Sequence, residues 1–242
     1  MARRPLVVSH RTQAGTMPEN TLAGIDAALA MGVDGIELDV RATSDGVVVL
    51  SHDETLQRVA GDPRAISDLA FDELRRVELN AAHGVRGQHV PTLVEVYERV
   101  AGRAIVIVEI KQPEIHELVA AEVRRFEAAP WTWIWTFHPG VGEECRRVLP
   151  EVPVALNNAP GVLERLGYPE TPVEIAVESG FAAVSWNHLA ATPERVRGAR
   201  RRGLSVYCWT PNTPDEIERV IEADVDAVCS DFPDRVQAVI AG

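Results

Sequence analysis

The sequence has few of the features that mark several classes of protein. Its three cysteines, Cys145, Cys208 and Cys229, show no metal-type spacing, which indicates reduced thiols in a cytoplasmic protein rather than a disulfide framework. No hydrophobic run approaches the length that spans a membrane, so stable membrane insertion is not expected. The first apolar run is too short for a secretory signal, and we interpret residues 6–10 as a first strand.

Positive charge is also scarce. Lysine and arginine total 24 against 36 acidic residues, which gives a formal net charge of −12. This balance argues against nucleic acid or an anionic membrane as the main partner. It still permits a small phosphate-bearing substrate, because a bound divalent cation would reverse the local field. The sequence leaves self-association into a homo-oligomer open.

Strand-like and helix-like segments alternate along the chain. Besides a hairpin arm at residues 47–51, eight mostly apolar strands are predicted, as buried parallel strands require, starting near residues 6, 36, 104, 133, 152, 182, 204 and 227. Eight β/α units in roughly 250 residues predict a (β/α)8 TIM barrel, here a single domain over residues 1–242. A doubly wound open sheet is the alternative, but its nucleotide-binding form lacks the required Gly-x-Gly-x-x-Gly turn.

Residues 54–91 interrupt this alternation. They are charged, contain Gly-Asp-Pro at 61–63, and show one helical stretch at about 72–79. We interpret them as an insertion on one rim of the barrel, directly after the hairpin arm.

Ionisable residues gather at the predicted carboxyl ends of the strands, where a β/α barrel forms its active site. Glu37 and Asp39 are two residues apart on one strand, so both side chains project on the same face. Other polar and aromatic groups end further strands, namely His10-Arg11, His52-Asp53, Glu109-Ile-Lys111 and Trp209-Thr210.

These residue types suit cleavage of a phosphodiester. Glu37, Asp39 and Glu109 offer hard oxygen ligands, which suit Mg²⁺ or Ca²⁺ rather than zinc. Arg11 and Lys111 can balance the charge of phosphate oxygens.

Two histidines can supply proton transfer. His10 and His52 can serve as base and acid, one removing a proton from the nucleophile and the other protonating the leaving alkoxide. Asp53 either orients His52 or simply begins the insertion, and the sequence leaves both interpretations open.

Taken together in order, these motifs resemble those of the glycerophosphodiester phosphodiesterases. The resemblance runs from His10 to about Asp234 and includes His10-Arg11, Pro18-Glu-Asn-Thr21, Glu37-Leu-Asp39, Ser44-Asp-Gly46, His52-Asp53, Glu109-Ile-Lys111, Trp209-Thr210, Asn212 and Ser230-Asp-Phe-Pro233. It implies a β/α barrel with a small insertion after the His-Asp hairpin. It also implies hydrolysis of glycerophosphodiesters to glycerol 3-phosphate and an alcohol with a divalent cation.

The resemblance also implies roles for nine residues. These are metal ligation by Glu37, Asp39 and Glu109, acid/base catalysis by His10 and His52, phosphate contacts from Arg11 and Lys111, and aromatic contacts to glycerol from Phe137 and Trp209. Attack of the glycerol 2-hydroxyl on phosphorus, through a cyclic phosphate, is the mechanism implied. Two departures concern the substrate fit: Thr12 replaces the usual glycine, which suggests a different path for the first loop, and Pro211 replaces an apolar β-branched residue.

Two other functions stay open at this point. Phospholipase D-type activity on lysophospholipids would use an apolar lip, and its one hint is a stripe formed by Trp131, Trp133 and Trp135, although such a stripe is more commonly strand packing. A non-catalytic glycerol phosphate-binding barrel would lack a metal ligand or acid/base group, and none is missing. Asn20 or Thr21 can cap the first helix, and we interpret Asn20 as a helix cap rather than a substrate contact.

Overall fold

The computed structural model describes residues 4–168 and 171–242. The first three residues of the basic N-terminal stretch lie outside the described residues. Nine strands occur in the described part of the chain: β1 Leu6–Ser9, β2 Gly35–Ala42, β3 Val48–Leu50, β4 Ile105–Ile110, β5 Thr132–Thr136, β6 Val154–Asn158, β7 Ala183–Asn187, β8 Ser205–Trp209 and β9 Ala227–Ser230.

Eight of these strands form a closed parallel barrel. The strand order is β1-β9-β8-β7-β6-β5-β4-β2, and pairing of β1 with β2 closes the ring. The remaining strand, β3, pairs antiparallel with the end of β2, as the loop between them is too short for a crossover helix. The predicted TIM barrel with a hairpin arm is therefore confirmed, and the open-sheet alternative is wrong.

Helices surround the barrel. Within the described ranges they are α1 Leu22–Met31, α2 Gln57–Ala60, α3 Phe71–Leu74, α4 Leu93–Val100, α5 His116–Arg125, α6 Pro139–Val148, α7 Val162–Arg165, α8 Pro172–Glu178, α9 Pro193–Arg201, α10 Pro214–Glu222 and α11 Pro233–Ala241. Threonine side chains cap five of them by accepting a backbone N–H of the first turn, at Thr21, Thr92, Thr171, Thr192 and Thr213.

Side-chain alternation along β2 separates the core from the site. Ile36, Leu38 and Val40 are fully buried and pack in the layer between the strands and the helices. Glu37 and Asp39 project from the opposite face, into the barrel. Much of the barrel interior is apolar. The strands contribute to it Val8, Ile107, Trp135, Ala155, Ala183, Tyr207, Ala227 and Cys229.

Residues 54–91, the insertion, carry a separate apolar cluster. Its buried members, together with Val49 of the hairpin, are Leu56, Ile66, Leu69, Leu74, Leu79 and Val90. The helix predicted over 72–79 is shorter than expected and ends at Leu74. Glu78 and Leu79 instead pair with residues 88–89, so the chain is extended where the prediction continued the helix.

The structure bears on two further expectations, the unpaired cysteines and the lack of a membrane-spanning segment. Cys145, Cys208 and Cys229 are all buried and unbonded to one another. Among the described residues, none of the helices combines the length and hydrophobicity needed to cross a bilayer.

Candidate active site

Three carboxylates lie together inside the barrel, near the carboxyl ends of two neighbouring strands. Glu37 and Asp39 lie on β2, and Glu109 lies on β4 opposite Asp39 in the parallel register. Their exposed fractions are 1%, 1% and 7%. One oxygen of each lies within 4.8 Å of the others. Buried carboxylates this close repel one another unless a proton or a positive charge separates them.

Two cationic side chains lie against this cluster. Lys111 donates a hydrogen bond to Oε1 of Glu109, and its Nζ lies 3.1 Å from Oδ1 of Asp39. The Nε of Arg11 lies 3.5 Å from Oδ2 of Asp39. Burial would raise the pKa of Asp39, but the charges of Lys111 and Arg11 outweigh it and lower that pKa. Asp39 is therefore held ionised.

Two asparagines that the sequence analysis did not place in the site fix the carboxylates. Asn20 donates from Nδ2 to Oδ2 of Asp39 at 2.9 Å and accepts the backbone N–H of Asp39 at 3.1 Å. Asn157, on β6, donates to Oε2 of Glu109 at 3.0 Å. Of the two predicted caps for the first helix, Thr21 is confirmed and Asn20 is wrong.

The cluster fits a divalent cation. Within the described residues, Oε1 of Glu37 is buried without a hydrogen-bond partner, whereas Oε2 accepts the Arg11 backbone N–H at 2.8 Å. Burial, followed by the charge of Asp39, raises the pKa of Glu37, because the ionised form of this carboxyl is costly when no cation is bound. A hard cation would offset that cost and give Oε1 a partner.

His10 is oriented by a carboxylate from the far end of the chain. Its Nδ1 lies 2.6 Å from Oδ1 of Asp231, and its Nε2 lies 3.9 Å from Oε2 of Glu37. Asn212 donates to the other oxygen of Asp231 at 2.7 Å. An ionised carboxylate only accepts, so the proton belongs on Nδ1 of His10. Burial opposes protonation, yet Asp231 and Glu37 outweigh it and raise the pKa of His10.

His52 has a similar partner next to it in sequence. Its Nδ1 lies 2.7 Å from Oδ1 of Asp53, which selects the orienting role among the two interpretations left open above. Arg41 donates from Nε and Nη2 to the carbonyl oxygen of His52, at 3.3 and 3.1 Å. Burial and the charge of Lys111 lower the pKa of His52, against the opposing effect of the nearby carboxylates.

The sequence model of the glycerophosphoryl diester phosphodiesterase family matches residues 10–235. The chain belongs to that family. The matched range begins at His10 and ends after Asp231, so it includes every group described above. Family membership confirms the predicted enzyme class and the predicted hydrolysis of glycerophosphodiesters.

Individual relatives agree with the family and the fold. The chain is 28% identical over 241 residues to the glycerophosphodiester phosphodiesterase of Caldanaerobacter subterraneus subsp. tengcongensis, with 96% of both chains covered. A solved structure from Silicibacter pomeroyi DSS-3 superimposes with a TM-score of 0.92 at 29% identity, covering 98% of this chain and 93% of that one. A phosphodiesterase from Oleispira antarctica, solved in complex with sn-glycerol-3-phosphate, shares the fold with a TM-score of 0.86 at 23% identity, covering 98% and 97%.

Two aromatic residues border the site of this family member. Phe137 follows β5 and Trp209 ends β8, and their rings meet edge to face with centroids 5.6 Å apart. The Nζ of Lys111 lies 5.5 Å from the Phe137 ring centroid, which connects this pair to the carboxylate cluster.

The predicted tryptophan stripe is not a lip. Trp133 and Trp135 stack on Tyr207 inside the barrel, at centroid distances of 5.0 and 5.9 Å. Trp131 does not share their face, because it belongs to a 3-10 turn before β5 and packs on Tyr97 in the outer layer.

Thr12, where this family usually has glycine, takes a glycine-like conformation. Its φ is 71°, a left-handed value that a β-branched residue rarely adopts. The side chain is fully buried, and its Oγ1 accepts the Thr21 backbone N–H at 3.3 Å. A Cβ on Gly24 would lie 2.2 Å from that oxygen, so Gly24 makes room for Thr12. Pro211, the second departure, is also buried.

Proposed function

We propose that this chain hydrolyses glycerophosphodiesters to glycerol 3-phosphate and an alcohol with a divalent cation held by Glu37, Asp39 and Glu109. The observation that carries the proposal is the unpartnered, buried Oε1 of Glu37 within a three-carboxylate cluster. Oxygen ligands of this kind suit Mg²⁺ or Ca²⁺. When bound, such a cation polarises the phosphoryl group and lowers the barrier to nucleophilic attack.

The chain's own residues would bind the phosphate and move the protons. Arg11 and Lys111 would contact the phosphate oxygens, and Phe137 and Trp209 would border the glycerol. One histidine, His10 or His52, would take the proton of the glycerol 2-hydroxyl as its oxygen bonds to phosphorus. The other histidine would protonate the leaving alkoxide as its bond to phosphorus breaks.

A five-membered cyclic phosphate would be the product of that first step. Water would then add to phosphorus, and the bond to the 2-oxygen would break to give glycerol 3-phosphate, with the two histidines exchanging their roles. The carboxylate partners Asp231 and Asp53 support this proposal because each keeps a proton on Nδ1 of its histidine, so that Nε2 is the nitrogen that exchanges protons.

Product analysis tests the reaction. Chain stripped with EDTA is expected to be inactive on glycerophosphocholine, and Mg²⁺ or Ca²⁺ is expected to restore release of sn-glycerol 3-phosphate, measured enzymatically and by ³¹P NMR. An analogue that lacks the 2-hydroxyl should not be cleaved, because it cannot form the cyclic phosphate. Absence of turnover on every glycerophosphodiester across a panel of divalent cations would contradict the proposal.

The lysophospholipid alternative is tested in the same assay. The tryptophan stripe that suggested it lies partly inside the barrel and partly in the outer layer, so we expect glycerophosphocholine to be cleaved faster than lysophosphatidylcholine. A cytoplasmic location, a homo-oligomer and a single folding domain stay predictions, for which cell fractionation, light scattering and calorimetry are the tests.

A further inference from the structure

Arg58 lies in the insertion, yet its guanidinium reaches the candidate site. It sits on the short helix α2 and donates from Nε to Oδ2 of Asp53 at 2.6 Å. Its two terminal nitrogens donate to the two oxygens of Glu19, at 2.7 and 2.8 Å. The planar fork of one arginine is thereby shared between two carboxylates.

Both carboxylates lead on to residues of the proposed reaction. Asp53 uses its other oxygen, Oδ1, to accept from Nδ1 of His52 at 2.7 Å. Glu19 lies 3.5 Å from Nη1 of Arg11, one of the proposed phosphate contacts. One carboxylate thus links Arg58 to a proposed acid/base group, and the other links it to a proposed phosphate ligand. Among the described residues, Arg58 forms no direct hydrogen bond with His52 or Arg11.

We propose that Arg58 is a positioning residue for the proton-transfer step. It fixes the plane of the Asp53 carboxylate so that Oδ1 faces Nδ1 of His52 and the Nε2 nitrogen is kept free for proton exchange. This inference rests on the proposed function, because it assigns Arg58 to the acid/base step of that reaction.

Helix α2 does not depend on Arg58 alone. The Arg58 side chain is 47% exposed, and a single exposed ion pair contributes about 1 kcal/mol or less to stability. Its helix is nevertheless held firmly, since Leu56 just before it is fully buried in the apolar cluster of the insertion. Against the effect of partial burial, hydrogen bonds from Arg58 and His52 lower the pKa of Asp53 to about 2, so Asp53 is an acceptor throughout the neutral range.

The first test compares three variants. Arg58→Ala is expected to lower kcat by up to about 10-fold, the lower end of the effect of removing an outer-shell partner, with KM little changed. Arg58→Lys keeps the charge but lacks the planar fork that holds both carboxylates in Arg58, so an intermediate kcat is expected. The matched control is Arg64→Ala, because Arg64 lies in the same insertion, its side chain is 49% exposed, and among the described residues that side chain bonds only to Asp62. We expect Arg64→Ala to keep kcat within about twofold.

Two further readouts separate positioning from a structural role. Added guanidinium should partly restore kcat in Arg58→Ala. In the double variant Arg58→Ala plus Asp53→Asn, the loss of kcat should be no larger than in Asp53→Asn alone, because both residues act through His52. In ¹H and ¹⁵N NMR spectra, the low-field Nδ1 proton of His52, assigned with His52→Gln, should weaken or shift in Arg58→Ala.

Each outcome is decisive. A kcat loss no greater than in Arg64→Ala, additive losses with Asp53→Asn, or an unchanged His52 resonance would overturn the positioning role. The NMR comparison needs no turnover, so it still tests Arg58 if the wild-type chain cleaves no glycerophosphodiester and the proposed function itself fails. Should Arg58→Ala not fold, Arg58→Lys provides the same kcat and NMR comparison.

Discussion

The two histidine–carboxylate pairs of this molecule differ in how they are built. His10 and Asp231 directly follow strands β1 and β9, which are neighbours in the barrel, although the two residues are 221 positions apart in sequence. Their side chains are 18% and 25% exposed. His52 and Asp53 are adjacent in sequence, follow the hairpin arm, and are both 32% exposed.

The supports behind the two pairs differ in the same way. Asp231 is held by the neutral amide of Asn212 at 2.7 Å, within the barrel rim. Asp53 is held by a charged guanidinium, that of Arg58, supplied by the insertion. The same local geometry is thus reached by close packing in one region and by a more exposed ion-pair network in the other. The difference predicts that added salt weakens the His52–Asp53 pair, on the insertion side, more than the His10–Asp231 pair, on the barrel side.

The largest effect is expected on the barrel side, at the carboxylates. Glu37→Gln removes the unpartnered oxygen that we assign to the cation, and kcat should fall by about 10³-fold or more, equivalent to roughly 4 kcal/mol of transition-state stabilisation. Calorimetric titration should show weakened cation binding. Asp72→Asn, which removes an exposed carboxylate of the insertion, is the control and should leave both quantities unchanged. Retention of cation affinity in Glu37→Gln would disprove the assignment.

The next largest loss of kcat is expected when either histidine is replaced. His52→Ala and His10→Ala should each lower kcat on glycerophosphocholine by about 10²- to 10⁴-fold with an unchanged circular dichroism spectrum. A glycerophosphodiester whose leaving group is p-nitrophenol needs no general acid. The variant that recovers activity on this substrate lacks the acid, and the other variant lacks the base. Near-normal activity of His52→Ala on glycerophosphocholine would refute its assigned role.

Much of the barrel side could be predicted from the sequence because it depends on strand periodicity. Glu37 and Asp39 had to share a face, and the carboxyl ends of parallel strands had to meet, so Glu109 and His10 followed. The same rule failed for Trp131, since the strand begins only at Thr132 and the alternation of faces does not extend into the preceding turn.

The supporting residues could not be predicted in this way. Asn157 lies on β6, and its contact with Glu109 depends on how the closed barrel brings side chains of β6 and β4 together past β5. Arg58 and Glu19 are 39 residues apart and meet only because the insertion folds back over the first loop. Such contacts between distant segments have no local periodicity, so no pattern in the sequence indicates them.

The smallest effect is expected when only the orienting carboxylates are changed. Asp231→Asn should lower kcat by about 100-fold and Asp53→Asn by about 10-fold, because the less exposed pair interacts through a medium of lower dielectric constant.

Raising the salt from 0.1 to 1 M shortens the screening length from about 10 to about 3 Å. Each variant is compared with wild type at the same salt, which cancels general effects on substrate binding. The loss in Asp53→Asn should then shrink at high salt, since the wild-type network with Arg58 is already weakened, whereas the loss in Asp231→Asn should not. Equal losses with equal salt dependence would mean that the two pairs work alike, whichever region supports them.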